Sequence, residues 1–90
     1  MYKIRFAGKR VKKQFDKLPL SVFKQTDKVL ASLTKDPFPK GVKKLIGIEN
    51  FYRIRVGDFR IIYEINHKNQ EIIIVRAKHR KEVYKNLCQK

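Results

Sequence analysis

The sequence predicts an α+β domain, with an N-terminal strand and two helices packed on an antiparallel meander sheet and a short helix at the C-terminus. Three observations carry the prediction. Apolar residues alternate at Tyr2, Ile4 and Phe6; they recur at helical spacing through Val11, Phe15 and Leu18, then Phe23, Thr26, Leu30 and Leu33; and three β-rich runs fill 51–57, 59–66 and 70–78. A strand, then helices, then consecutive strands suggest an α+β order rather than repeated βαβ units. Ninety residues suit a single core, so 1–90 is read as one domain.

Each element has a local cause. Residues 2–7, YKIRFA, place Lys3 and Arg5 against the apolar positions, the period of a half-buried strand, and Gly8 ends it. The segment 9–17, KRVKKQFDK, reads as a short basic amphipathic helix. Pro19 closes it and suits the first turn of a longer helix, which DPFPKG at 36–41 stops, because a proline disfavours the helical region for the residue before it. A strand is expected near Lys43 to Ile46. Gly57-Asp58, with glycine first, suits a two-residue type II′ hairpin turn between 51–57 and 59–66. After the turn-prone NHKNQ, the unbroken run Ile72 to Val75 reads as a strand covered on both faces, and HRKEVYKNLCQK at 79–90 as the closing helix, with Val83 and Leu87 four apart.

Charge narrows the partner. Lys and Arg number 23 against 8 Asp and Glu, formally +15, an imbalance that self-repels unless a polyanion is nearby. Nucleic acid is the expected partner. The positive charge forms no single basic amphipathic helix or juxtamembrane cluster, and no apolar run nears the roughly 18 residues of a spanning helix, so no membrane partner is expected. The opening MYKIRFAGKRVKKQF lacks the apolar core of a signal peptide, which points to the cytoplasm. Cys88 is the only cysteine, so neither an intrachain disulfide nor a thiolate metal cluster can form.

The hairpin raises the sharpest question. In the predicted register Ile54 faces Ile61, Arg55 faces Arg60 and Arg53 faces Ile62, which gathers Ile54, Val56, Phe59 and Ile61 on one face, flanked by Tyr52 and Tyr63. Arg53, Arg55 and Arg60 share the other. Like charges directly opposite destabilise a sheet by up to about 1 kcal/mol. Such a cluster on a rigid strand matches phosphate oxygens bidentately, so it reads as an anion site. Arg76 and Lys78 alternate with Ala77 and His79 near the end of the third strand and, with Arg80, are expected to converge on the same groove.

The segments YRIRVGDFRIIYEI and IIIVRAKHRKEVY, with KKLIG before them, resemble the RelE branch of the RelE/ParE toxin superfamily of prokaryotic toxin–antitoxin systems, over nearly the whole chain. The resemblance implies a microbial-ribonuclease-like fold and a metal-free, cofactor-free endoribonuclease that cuts mRNA in the ribosomal A site and so inhibits translation. It also implies a RelB-like antitoxin, in a heterodimer or heterotetramer. By position, the family's catalytic residues fall on Arg53, Arg55 and Arg60, on Lys78 or Arg80, and on Tyr84. Some relatives have lysine where this chain has Arg53 and Arg55, which leaves the general base open.

RNA supplies its own nucleophile, the 2′-hydroxyl, so the protein must orient it, take its proton, steady the phosphorane and protonate the leaving oxygen. Arg55 and Arg60 are expected to meet transition-state charge, Arg53 a substrate phosphate, and Tyr84 to stack on or position the nucleotide. For proton transfer His79 is the best titrating group, with Lys78, Lys43 or Lys44 as substitutes. Lys43, Lys44, Arg76 and Lys81 are expected to bind RNA. A ParE-like gyrase poison and a non-catalytic RNA- or ribosome-binding module are the alternatives.

Overall fold

Alternation at the start of the chain becomes strand β1, Lys3–Phe6, and the basic amphipathic segment becomes helix α1, Lys9–Asp16, in a computed structural model that describes residues 1–38, 41–45 and 50–83. Val11 and Phe15, one helical turn apart, are the buried residues of α1, while Lys12 pairs with Asp16 at 2.8 Å on its exposed side. Helix α2, Leu20–Leu33, starts one residue after Pro19, whose carbonyl accepts the first helical bond from Phe23 N–H. Its inward face is Thr26, Leu30 and Leu33. The helix gives way before Pro37, where the Asp36 carboxylate accepts from Phe38 N–H at 3.0 Å.

Four more strands follow: β2, Lys43–Lys44; β3, Phe51–Val56; β4, Phe59–Asn66; and β5, Glu71–His79. Within the described residues β2 is shorter than expected, and Ile46 lies outside them. The sheet order is β1-β5-β4-β3-β2, antiparallel except at one edge, where β1 lies parallel to β5 with Lys3 opposite Glu71 and Phe6 opposite Ile74. The β3–β4 register is the one the turn predicts, including Arg55 opposite Arg60. Between β4 and β5 the register shifts at Ile62/Tyr63: Ile62 faces Arg76 but Tyr63 faces Ile74, leaving Val75 as an extra bulge residue.

Both helices share one hydrophobic cluster with the sheet. Ile61, Tyr63, Ile72 and Ile74 are wholly buried there with Leu33, each apolar side chain contributing about 1.5–3 kcal/mol relative to exposure. On the opposite face Ile62, Ile73 and Val83 are also buried, so the Ile72–Ile74 run is covered on both sides. The Tyr63 hydroxyl donates to the Pro37 carbonyl at 2.8 Å and ties the exit of α2 to the middle of the sheet.

Most of the expected C-terminal helix, including Tyr84 and Leu87, lies outside the described residues. Of its start, His79 belongs to β5, and residues 80–83 form a turn in which Val83 N–H bonds the His79 carbonyl at 3.0 Å. Arg80 N–H bonds the Asp58 carbonyl at 2.8 Å, so this turn is clipped to the β3–β4 hairpin.

Candidate functional site

Two rows of side chains cross one face of the sheet. Lys43, Arg53, Ile62 and Arg76 lie side by side across β2, β3, β4 and β5; Arg55, Arg60 and Lys78 form the next row toward the hairpin turn. Facing positions have Cβ atoms about 4.5–5.5 Å apart, so Lys43 and Arg53, Arg55 and Arg60, and Arg60 and Lys78 are each held within one side-chain length of one another. The sheet sets this spacing, and it persists whether or not an anion is present.

The turn makes one of these cations different from the rest. Gly57 takes φ +58° and Asp58 does not take positive φ, the pattern of type II′ rather than type I′. This folds the Gly57 carbonyl back toward Arg60, whose Nη1 donates to it at 3.0 Å and to the Phe59 carbonyl at 3.0 Å. Arg60 is only 8 % exposed, whereas Arg55 opposite it stands in solvent and Arg53 is half-buried. Arg60 is thus a buried guanidinium held by backbone oxygens.

A groove of about 590 Å³ opens beside β3, lined by Lys43, Arg53, Arg55 and Arg60 together with Val29, Gly41 and Ile54. Among the described residues four cations and no carboxylate line it, which suits an anion. Among the described residues β2 pairs with Tyr52 and Arg53, and no strand pairs with β3 on that side beyond Arg53.

Of the remaining candidates, Lys78 stands opposite Arg60 and Arg76 opposite Ile62 on the same face, and both also line a second groove of about 520 Å³ with Arg10, Val11, Gln14, Val75 and Glu82, beside α1. Arg76 Nη1 also donates to the Val83 carbonyl at 3.1 Å, and Ala77 N–H donates to Gln14 Oε1 at 3.2 Å, which seats α1 on this strand. His79, paired with Phe59, falls on the helix side of the sheet, its ring edge-on to Phe59 at 5.5 Å, and its Nδ1 accepts from Lys81 N–H at 3.2 Å. The expectation that His79 shares a groove with Arg60 is therefore corrected: strand alternation turns it to the other face. Lys44 likewise shares the face of its partner Tyr52, not that of Arg53. Arg80 and Lys81 are exposed on the closing turn, and Tyr84 lies outside the described residues.

Arg10 is the groove residue that sequence reasoning missed; its spacing from Gln14, one turn along a basic helix, was the available signal. Among the described residues no three of His, Cys, Asp and Glu gather closely enough to hold a metal ion. Burial, with smaller contributions from Tyr52 and Asp36, pushes the Tyr63 phenol in the core far above its ordinary value.

Comparison with known proteins adds identity to this geometry. The family model described as the ParE toxin of type II toxin–antitoxin systems, parDE, matches residues 6–84. A Methanocaldococcus jannaschii protein that bears the toxin name RelE1 is 36 % identical over 81 residues, covering 87 % of this chain and 90 % of that protein. Among solved structures, RelE in the archaeal RelE–RelB complex of Pyrococcus horikoshii is similar at 31 % identity and TM-score 0.77, over 91 % of this chain and 98 % of the other. The isolated E. coli RelE toxin shares the fold, with TM-score 0.78 at 22 % identity over 88 % of this chain and 84 % of the other. The chain belongs to the RelE/ParE family of toxins from type II toxin–antitoxin systems.

Proposed function

We propose that this toxin is an endoribonuclease that cleaves mRNA in the ribosomal A site, using the 2′-hydroxyl of the RNA as nucleophile and no metal. The observation that carries the reading is the groove beside β3, where a backbone-fixed, buried Arg60 faces Arg55 with Arg53 and Lys43 in the next row. A preorganised guanidinium meets the growing charge of a phosphorane without having to be ordered at the moment of reaction. Arg60 and Arg55 stabilise that charge, and Arg53 holds an adjacent phosphate. Among the described residues lining the groove, Lys43 is the side chain that can release a proton, since guanidinium stays charged, so it takes the proton-transfer role in place of His79. Tyr84 keeps the positioning role that the resemblance implies.

A small protein of the RelB kind is its partner, as in the RelE–RelB complexes of Pyrococcus horikoshii and Methanococcus jannaschii. An acidic segment of such an antitoxin would neutralise the groove. The matched family description names parDE, which favours gyrase poisoning as the second reading.

Primer extension on mRNA translated with the purified toxin, beside a gyrase supercoiling assay, separates the two. Cleavage within codons on ribosomes, strongly reduced for Arg60→Ala and accompanied by unimpaired supercoiling, supports the first reading. Uncut mRNA and blocked supercoiling overturn it.

A further inference from the structure

At the end of the sheet away from the Gly57-Asp58 turn, five aromatic rings form a continuous chain. Tyr63 and Tyr52, partners across β4 and β3, stack with centroids 6.0 Å apart. Tyr52 meets Phe38 edge-on at 5.2 Å, Phe38 lies nearly parallel to His67 at 6.1 Å and 24°, and His67 meets Tyr2 edge-on at 6.4 Å. The Tyr2 hydroxyl lies 3.2 Å from His67 Nδ1. The chain begins in the core, where Tyr63 is wholly buried, and ends in water, where Phe38 is 46 % exposed and His67 is exposed.

Single exposed apolar side chains are ordinary, but this ring is unusually well held. Phe38 N–H donates to the Asp36 carboxylate, the preceding Pro37 carbonyl accepts from Tyr63, and the sequence puts a proline on either side of Phe38, restricting its backbone. A ring ordered beforehand loses little entropy on binding. Besides the Asp36 carboxylate bound to its N–H, two cations stand near it: Lys44 shares the face of Tyr52, and Lys68 follows His67 in the exposed β4–β5 turn. Aromatic faces amid positive charge complement a base flanked by phosphates better than they complement an apolar peptide.

We propose that Phe38 and His67 form a stacking platform for an unpaired RNA base, distinct from the arginine groove, with Lys44 and Lys68 meeting the neighbouring phosphates. The inference rests on the reading of this toxin as an RNA-acting protein. Lys43 and Lys44, adjacent on β2, project to opposite faces and place one cation beside each site, so an RNA strand crossing this edge passes from one to the other.

The test uses the full chain and a short single-stranded RNA carrying 2-aminopurine, whose fluorescence is quenched by stacking, titrated across a range of salt. Phe38→Leu is expected to weaken binding about tenfold and to lose the quench with the salt slope unchanged. Phe38→Tyr keeps affinity and quench, and melting curves of both variants verify the fold. Arg55→Ala keeps the quench but lowers the log–log salt slope by about one. If Phe38→Leu binds and quenches like wild type while Arg55→Ala loses slope, the platform is overturned and the RNA reading stands. If wild type shows no salt-dependent RNA binding, both fail. If Phe38→Leu loses only its grip on a RelB-like antitoxin, the rings are a protein-docking surface and the proposal is overturned.

Discussion

Arg60 lies directly opposite Arg55 across the β3–β4 hairpin, and it is the buried member of the pair. Two facing cations repel, and Arg60 offsets this by directing Nη1 to the carbonyls of Gly57 and Phe59. Hydrogen bonds from a charged donor are stronger than neutral ones, so the fold has a use for this arginine that it does not have for its solvent-exposed neighbour.

The two arginines therefore have opposite signatures. Arg60→Ala is expected to lower single-turnover cleavage on programmed ribosomes by about 10² to 10³ and to lower unfolding free energy by about 1–3 kcal/mol. Arg55→Ala also lowers cleavage, but leaves the free domain as stable as wild type or a few tenths of a kcal/mol more stable, because it removes repulsion and no described contact. Urea melts beside the cleavage assay decide it; equal destabilisation by both variants would refute the assignment.

Gly57 supports the site from the backbone. A Cβ there would meet nothing within 4 Å, so the effect of Gly57→Ala comes from its φ of +58° alone. The expected loss is about 1–2 kcal/mol, with a fall in cleavage as the carbonyl that holds Arg60 moves. A variant of wild-type stability and full activity would show that the turn does not position Arg60.

Tyr63 makes the core sensitive to alkali. Burial raises its phenol above the ordinary 10.0, so folding stability is intact below about pH 10 and falls as pH rises past that value, where only the unfolded chain readily loses the proton. Tyr63→Phe is expected to cost about 1–3 kcal/mol at neutral pH, since the Pro37 carbonyl loses its donor. That deficit should shrink in paired denaturant titrations near pH 11. A constant difference across pH would contradict the burial of the phenol.

His79→Ala and Lys43→Ala test the face assignment. His79→Ala should keep most ribosomal cleavage, with a modest loss of stability from its contact with Phe59, whereas Lys43→Ala should lower the rate and alter its pH profile. The reverse outcome would place His79 at the reacting phosphate and require the closing turn to rearrange on the ribosome.

The hairpin and its arginines were legible because one local signal, the Gly57-Asp58 turn, sets the register of every residue on β3 and β4. The second basic groove was not, because it depends on contacts distant in sequence. That Arg76 and Lys78 both share the face of Arg53 and border α1 depends on the bulge at Val75 and on Gln14 reaching Ala77, and an unbroken Ile72 to Val75 run has no alternation from which to read either. The place of His79 is hidden for a different reason: nearness in sequence to Lys78 and Arg80 is not nearness in space, because adjacent strand residues face opposite ways. The burial of Arg60 was hidden because its partners are carbonyl oxygens, which no residue type announces.

The parallel pairing of β1 with β5 also dictates an order of assembly. The β3–β4 hairpin closes between residues a few positions apart and can form early, carrying its arginines with it, while the edge strand must wait for residues near 71–74 before it has anything to pair with. Contacts between distant segments form more slowly, since loop-closure entropy must be met first. During synthesis, a chain that has not yet exposed β5 leaves Ile4 and Phe6 without their place in the sheet. The arginine groove can thus be outlined on a nascent chain whose fold is still open at the opposite edge.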